Sequence, residues 1–440
     1  MTNEEGVTNG DATTSNTAEP LKDRTERLMS ELREAVMRFE PEKVKRLLVH
    51  DKCPIDRTII KDAAVVYYNK AVFEVLASQL SKQRQALLKL AREYLSSEQL
   101  FQLRIHHEKR NLNAQAASVA VALIASNAAD YETVRLLVPD IIFPSSATSL
   151  YFLVGCNRDA AQILYNTGFT NVDELDHLMY SPLAALTIPK LTGYAGEYRV
   201  DTAARASFNY LKMCTWFQAK QALLHRVFGL AQGTPLHYVA GELGKAFAAL
   251  YEEQLVKNPE ETTESPSYQF AMDLAMLIQP YISNSPIIRE IMHDTSHRDR
   301  FSCPCSAEGS LPLNVLLNEI IINHFLVNEI KTAVVISKLV GAFLFSQQPT
   351  MYLDRLEHVA STVLRACSFA SLGLAHTCRS ASTSRLAVIL TERRNTHDEL
   401  DNLVTAYEAR FQQSNKSLAI FLITDWAMDM DALPVAKKLS

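Results

Sequence analysis

A triplet of Ser or Thr, any residue and Leu recurs along the chain in similar surroundings. TSL (148–150) and SPL (181–183) are 33 residues apart, and TPL (234–236) begins 53 residues after the start of the second copy. Between the first two copies lies AAQILYNTGFTNVDELD (160–176), which begins with a predicted helix that has one apolar face. Gly168 can end this helix in the left-handed conformation, and a polar loop, the finger of the unit, follows it. Such a unit cannot bury its apolar face alone and must stack on a neighbour. The sequence therefore predicts a stack of short helical units.

The third copy, GTPLH, contains the residue types that begin a helix. Gly233 supplies a turn, Thr234 is placed as the N-cap, and Pro235 follows at the first helical position, where its missing N–H costs nothing. Leu236 faces a neighbouring helix, and His237 falls at the third position, from which its ring can reach back to the cap. We therefore interpret His237 as a structural residue, and a ligand or a catalytic base is the alternative.

Composition favours helix and argues against several classes of protein. The chain has only 13 Gly in 440 residues, which leaves few tight β-turns. Its 44 Lys and Arg nearly balance 49 Asp and Glu, so no overall basic field indicates nucleic-acid binding. No apolar run reaches the ~18 residues of a membrane span, and the start of the chain lacks a secretory signal. Seven cysteines without a disulfide spacing indicate a reducing compartment, so we expect an intracellular protein, cytoplasmic, nuclear or both.

We predict an all-α fold, an ankyrin-type helical repeat solenoid with extra helices at both ends, because the period and the order of helix, glycine and finger are those of the ankyrin repeat. Residues 1–20 are polar and predict a disordered tail. A helical N-terminal region with one ankyrin-like helix pair spans 21–128, degenerate repeats span 129–320, and a helical cap spans 321–440. An insertion near 188–205 interrupts the array between the second and third triplets.

Helix boundaries in the N-terminal region follow from caps and apolar spacing. Asp62 is expected to cap a helix over 62–80, with Val65 and Val66 facing inward, and Ser81 is expected to begin the next helix. The spacing of Ser and Gln in 96–99 predicts a capping box for a further helix.

The candidate metal ligands are His293, His297, Cys303 and Cys305, within HDTSHRDRFSCPC. Two imidazoles and two thiolates satisfy tetrahedral zinc, and the two histidines share one face if this stretch is helical. The C-x-C spacing is tighter than that of a zinc finger, so a polar loop with incidental cysteines is the favoured interpretation. The chain lacks a phosphate-binding Gly-Lys loop, a G-x-S-x-G elbow and an H-E-x-x-H pair. We therefore predict no enzyme activity and no cofactor.

Most of the chain from about residue 25 resembles a large group of fungal-type ankyrin-repeat proteins of uncharacterised function. The segments that carry the resemblance are RQALLKLAREYLSSEQLFQL (84–103), LNAQAASVAVALIA (112–125), the stretch from SLYFLV to SPLAAL (149–186), GTPLHYVA (233–240), DRFSCPCSAEGSLPL (299–313) and the helices from HDELDNLVTAYEARF to LAIFLITDWAMDM (397–430). The Cys-containing segment of that group tends to carry more cysteines, where this chain has Phe301 and Ser310.

The resemblance implies a scaffold or adaptor that mediates protein–protein interactions, with no catalytic residues to carry over. The repeat-motif residues of this chain are Ser149, Leu150, Gly168, Ser181, Pro182, Leu183, Gly233, Thr234, Pro235, Leu236 and His237. We expect protein partners, and neither nucleic acid nor a membrane. Two alternatives stay open: a zinc-stabilised module on His293, His297, Cys303 and Cys305, and an accessory or sensor part of a fungal immune-type receptor system.

Overall fold

Helices form all the regular secondary structure of the described residues, which confirms the predicted all-α class. The computed structural model describes residues 21–103, 116–138, 149–176, 179–188, 200–227, 233–257, 267–282, 285–300, 309–327, 333–346, 357–372 and 394–433. The predicted tail at 1–20 lies outside these residues, and so does most of the predicted insertion. Within the described ranges, no helix combines the length and the apolar character needed to cross a bilayer.

The first eight helices lie in the N-terminal part of the chain. They are α1 (Leu21–Met37), α2 (Pro41–Val49), α3 (Arg57–Lys61) with a π-helical turn after it (Asp62–Val66), α4 (Lys70–Tyr94), α5 (Ser97–Gln102), α6 (Ala116–Ala125), α7 (Tyr131–Leu137) and, after a 3-10 turn (Leu150–Phe152), α8 (Arg158–Asn166).

The remaining helices follow from the second triplet onward. They are α9 (Pro182–Ala185), α10 (Val200–Ala219), α11 (Pro235–Lys257), α12 (Tyr268–Ile282), α13 (Pro286–His293), α14 (Pro312–Val327), α15 (Ala333–Ser346), α16 (Glu357–Ser371), α17 (Arg394–Gln413) and α18 (Leu418–Phe421), which continues through a π-helical turn (Leu422–Trp426) into α19 (Ala427–Ala432). The first residues of α10 fall inside the predicted insertion.

Local capping chemistry fixes several of these boundaries. The predicted capping box is confirmed: the Ser96 N–H donates to Gln99 Oε1 at 2.9 Å, and the Gln99 N–H donates to Ser96 Oγ at 3.2 Å. The Asp56 side chain accepts from the first turn of α3 at 2.8 Å, and the Asn69 side chain accepts from the first turn of α4 at 3.2 Å. Each cap satisfies a backbone N–H that has no partner within the helix.

The predicted helix over 62–80 has both of its boundaries wrong. A π-helical turn extends α3 through Val66, and Asn69 caps a new helix that runs without a break through Ser81. The wider turn changes which side chains face inward, so Val65 and Val66 are 47% and 59% exposed rather than buried. The Ser81 hydroxyl donates to the carbonyl of Thr167 at 2.8 Å instead of capping a helix.

One hydrophobic core extends through most of the described chain, from Leu32 in α1 to Met430 in α19. A second, smaller core forms where Leu87 in the C-terminal half of α4 packs with α6 and α7. Because α4 contributes to both cores, it joins the N-terminal helices to the rest. Along the chain, α2 packs on α4, α4 on α8, α8 on α10, α10 on α11, α11 on α14, α14 on α16, and α16 on α17.

Two glycines permit the closest approaches between helices. A Cβ on Gly244 in α11 would lie 2.5 Å from the carbonyl oxygen of Leu316 in α14. A Cβ on Gly341 in α15 would lie 2.8 Å from Cδ1 of Ile423 in the second π-helical turn. The backbones of α11 and α14 can therefore pack side by side at a separation that any larger residue at 244 would prevent.

Gly244→Ala is expected to destabilise the fold, although alanine is favoured over glycine in a helix interior by about 1 kcal/mol. The added Cβ would force α11 away from the Leu316 carbonyl. We expect the free energy of unfolding to fall by about 1–3 kcal/mol in a denaturant titration. Ala249→Gln, on the exposed side of α11, is the control and should change it by less than about 0.5 kcal/mol. A stabilised Gly244→Ala chain would contradict the close packing.

Candidate functional site

The first two triplets begin helical turns, as their residue types dictate. Ser149 Oγ lies 3.4 Å from the backbone N of Tyr151 at the start of the 3-10 turn. Ser181 Oγ accepts from the backbone N–H of Ala184 at 3.3 Å at the start of α9. Gly168 has a φ of 110° after α8, a conformation that favours glycine. The apolar residues of the motif are buried in the main core: Leu150, Leu183 and Leu236, together with Pro182 and Pro235 beside them.

In the third triplet, His237 joins the start of α11 to a distant segment. Its Nδ1 accepts from the hydroxyl of Thr234 at 2.8 Å and from the Thr234 backbone N–H at 3.2 Å. Its Nε2 donates to the carbonyl of Ser310 at 2.8 Å. This pattern requires the neutral ring with its proton on Nε2, and it leaves both ring nitrogens satisfied. His237 is fully buried, and Gly233 leaves the space that its side chain fills.

Ser310, whose carbonyl is bonded to His237, also forms two hydrogen bonds with Asp299. The Ser310 N–H donates to Asp299 Oδ1 at 2.7 Å, and the Asp299 N–H donates to the Ser310 carbonyl at 3.0 Å. Gly309 has a φ of 95°, and a Cβ there would meet the Asp299 backbone, so only glycine fits this turn. The Ser310 carbonyl therefore accepts two hydrogen bonds in a rigid setting, which fits a structural role for His237.

Of the four candidate zinc ligands, the structure describes only His293 and His297. His293 ends α13 and is exposed, and the chain leaves the helix before His297, so the two rings do not share a helix face. Cys303 and Cys305 lie outside the described residues. His297 lies instead beside two side chains that were not candidates in the sequence, His225 and Asp294.

A cleft of about 470 Å³ lies between the π-helical turn after α3, the start of α8 and the first half of α10. Its walls comprise Ala64, Val65, Tyr68, Val154, Cys156, Asn157, Arg158, Asp159, Arg205, Asn209 and Lys212. Asn157 fixes the geometry of one wall, because its side chain donates to the carbonyl of Ala64 at 2.7 Å and also caps α8. The volume is within the ~300–1,000 Å³ range of ligand sites.

Positive charge dominates the polar part of this cleft. Arg158, Arg205 and Lys212 contribute three cations against the one carboxylate of Asp159. Arg205 and Lys212 are exposed and lie two turns apart on α10, and neither pairs with a carboxylate in the described part of the chain. The hydroxyl of Tyr68 has no hydrogen-bond partner among the described residues. A phenol donor beside three cations provides a chemical environment suited to an anionic group.

Sequence reasoning missed the residues of this cleft and the neighbours of His297. The spacing of Arg205 and Lys212 by seven residues was the signal for two cations on one helix face. No local pattern signals the pairing of His225 with Asp294, because 68 intervening residues separate them.

Comparisons of the chain with protein-family models, with curated proteins and with solved structures give no match.

His237→Leu is expected to lower the free energy of unfolding by about 1–3 kcal/mol, because it leaves the buried N–H of Thr234 without an acceptor. A denaturant titration measures the effect. His50→Leu is the control for the same change at an exposed histidine and should alter stability by less than about 0.5 kcal/mol. Unchanged stability of His237→Leu would show that the bridge to Ser310 is not structural.

Proposed function

We propose that this chain is an ankyrin-type helical scaffold that binds an acidic segment of a partner protein in the cleft between α3, α8 and α10. The observation that carries the proposal is the cationic lining of the cleft. Three cations face one carboxylate there, while the whole chain has a formal net charge of -5. A local cationic cleft on a net acidic chain favours an acidic partner segment by charge complementarity.

The apolar wall of the cleft supports a peptide rather than a small inorganic anion. Val65 lines the cleft beside the cations and is 47% exposed, whereas Val154 next to the cleft is fully buried. An acidic segment with an apolar side chain would pair its carboxylates with Arg205 and Lys212 and cover this valine surface. Interfaces commonly combine an apolar centre with charged groups that set orientation and the rate of association.

The ankyrin-type arrangement is supported by the recurring role of its motif residues. Ser149 and Ser181 sit at the starts of helical turns, and Thr234 meets the ring of His237 at the start of α11. The hydrogen bond from His237 to Ser310 connects the unit that begins at 234 to the segment that precedes α14. Contacts from one unit to the next are what hold a repeat array together, since each unit depends on its neighbours.

A non-enzymatic role is supported by the state of the described thiols. Burial raises the pKa of Cys53 and of Cys156 to about 12, with nearby carboxylates adding to the effect. Burial also raises the pKa of Cys214 and of Cys367 well above the ordinary value. These four thiols are protonated at neutral pH and are therefore poor nucleophiles.

Arg205→Glu/Lys212→Glu is expected to abolish partner recognition by reversing two charges of the cleft. Proximity labelling with the tagged full-length chain in its native cells identifies the partner, and titration of the purified partner then measures the affinity. We expect the affinity to fall by at least about tenfold, and the wild-type affinity to fall with added salt.

Lys82→Glu/Lys89→Glu is the matched control, because these exposed lysines have the same spacing on α4. It should leave labelling and affinity unchanged. Equal labelling by the wild-type chain and by both double variants would refute the cleft as the binding site. Loss of affinity for inorganic phosphate, with partner binding intact, would instead identify a small-anion site.

A further inference from the structure

Asp294, at the end of α13, has a buried carboxylate whose two oxygens have different surroundings among the described residues. The Asp294 side chain is only 3% exposed, and its Oδ1 accepts from the backbone N–H groups of Ser296 and His297 at 3.0 Å each. Its Oδ2 has no hydrogen-bond partner among the described residues. A buried anionic oxygen in this condition is costly unless a cation or a donor faces it.

The group that faces Asp294 Oδ2 is also unpartnered. Nδ1 of His225 lies 3.3 Å from it and has no hydrogen-bond partner among the described residues. On the other side of the ring, Nε2 of His225 lies 2.9 Å from Oε1 of Glu290. A proton on Nε2 satisfies that contact and leaves Nδ1 as an acceptor. Nδ1 and Asp294 Oδ2 are then two acceptors 3.3 Å apart.

A carboxylate behind an imidazole is the usual support of a metal-binding histidine. The carboxylate fixes the tautomer and the orientation of the ring and leaves the other nitrogen to the metal. Glu290 has this position relative to His225. The described part of the chain supplies a further imidazole, because the His297 ring lies 4.3 Å from the His225 ring, centroid to centroid. The two rings are stacked, so one of them would rotate about its side-chain bonds to direct a nitrogen at the same cation as the other.

We propose that His225, Asp294 and His297 bind a divalent cation, and that zinc is the ion that fits this donor set best. One ligand atom from each residue lies within 4.8 Å of the other two. The 3.3 Å between His225 Nδ1 and Asp294 Oδ2 matches the roughly 3.3 Å edge of a tetrahedron with zinc bonds of ~2.0 Å. Two imidazoles and one carboxylate are zinc ligands, and the fourth position is left for water or another donor.

The ionisation of Asp294 suits this role. Burial raises the pKa of its carboxyl, but hydrogen bonds from the backbone N–H groups of His297 and Ser296 and from the His297 ring outweigh burial and lower the pKa.

The bound cation would join two segments that are distant in the sequence. His225 lies in the loop before the third triplet, and the other two ligands lie at and after the end of α13. A cation here crosslinks these segments, and because the site does not exist in the unfolded chain, binding stabilises the fold. The site shares no residue with the cationic cleft, so the metal and the partner can be tested separately.

The test is a zinc titration of the full chain after dialysis against a chelator. Calorimetry gives stoichiometry and affinity, and thermal unfolding gives the stabilisation. We expect one equivalent of zinc and a rise in Tm for the wild-type chain. Glu290→Gln should weaken binding by about 10–100-fold, and His225→Gln and His297→Gln by at least as much. Cobalt in place of zinc should give the visible absorption of a four-coordinate ion in the wild-type chain and not in His225→Gln or His297→Gln.

His293→Gln is the matched control, because this exposed histidine lies at the end of the same helix and outside the cluster. It should bind zinc as the wild-type chain does. Failure of the wild-type chain to bind zinc would overturn the proposal. Zinc binding that survives His225→Gln and is lost only in Cys303→Ser/Cys305→Ser would also overturn it.

Discussion

The first turn of α11 is bonded to the segments on both sides of it, and the packing of the central helices depends on this anchor. The Leu236 N–H donates to the carbonyl of Leu224 at 3.2 Å, which fixes the loop before the helix. His237 donates to the carbonyl of Ser310 at 2.8 Å, which fixes the segment that leads into α14. With both neighbours held, Gly244 brings α11 against the backbone of α14, and α14 in turn packs on α15 and α16. The Thr-Pro-Leu-His sequence at the start of α11 therefore stabilises the fold by fixing where the neighbouring segments lie, as well as by burying its own side chains.

The same anchor explains why a loop histidine meets the end of α13. His225 directly follows Leu224, whose carbonyl accepts from the Leu236 N–H. Asp299 is hydrogen-bonded to Ser310, whose carbonyl accepts from His237. Both loops are therefore tied to the same helical turn, and His225 comes to lie 3.3 Å from Asp294. Side chains on short loops are held precisely only when their backbones are fixed in this way, since loops without such bonds are mobile.

The features that the sequence predicted correctly depend on neighbouring residues, and the features that it missed depend on residues distant in the sequence. The capping box at 96–99 needs only a serine and a glutamine three residues apart, and the structure has it. The boundary expected at Asp62 failed because a π-helical turn and the cap at Asn69 competed with it, and a period of 3.6 does not reveal a wider turn. Serine is a residue type that often caps helices, but the Ser81 hydroxyl donates to the carbonyl of Thr167, which is 86 residues away. Such partners depend on tertiary packing, which local spacing does not encode.

The buried polar groups of this chain differ in how completely the described residues satisfy them. His237 is fully buried, and both its nitrogens have partners, so it has no remaining capacity for a ligand. Among the described residues, Nδ1 of His225, Oδ2 of Asp294 and the hydroxyl of Tyr68 at the cleft have no hydrogen-bond partner. Native proteins leave few buried polar atoms unsatisfied, and each exception needs a physical reason. Among such atoms in the described residues, those of His225, Asp294 and Tyr68 lie at the two proposed sites, where a cation and an anionic segment would supply partners, whereas both nitrogens of His237 are bonded within the fold.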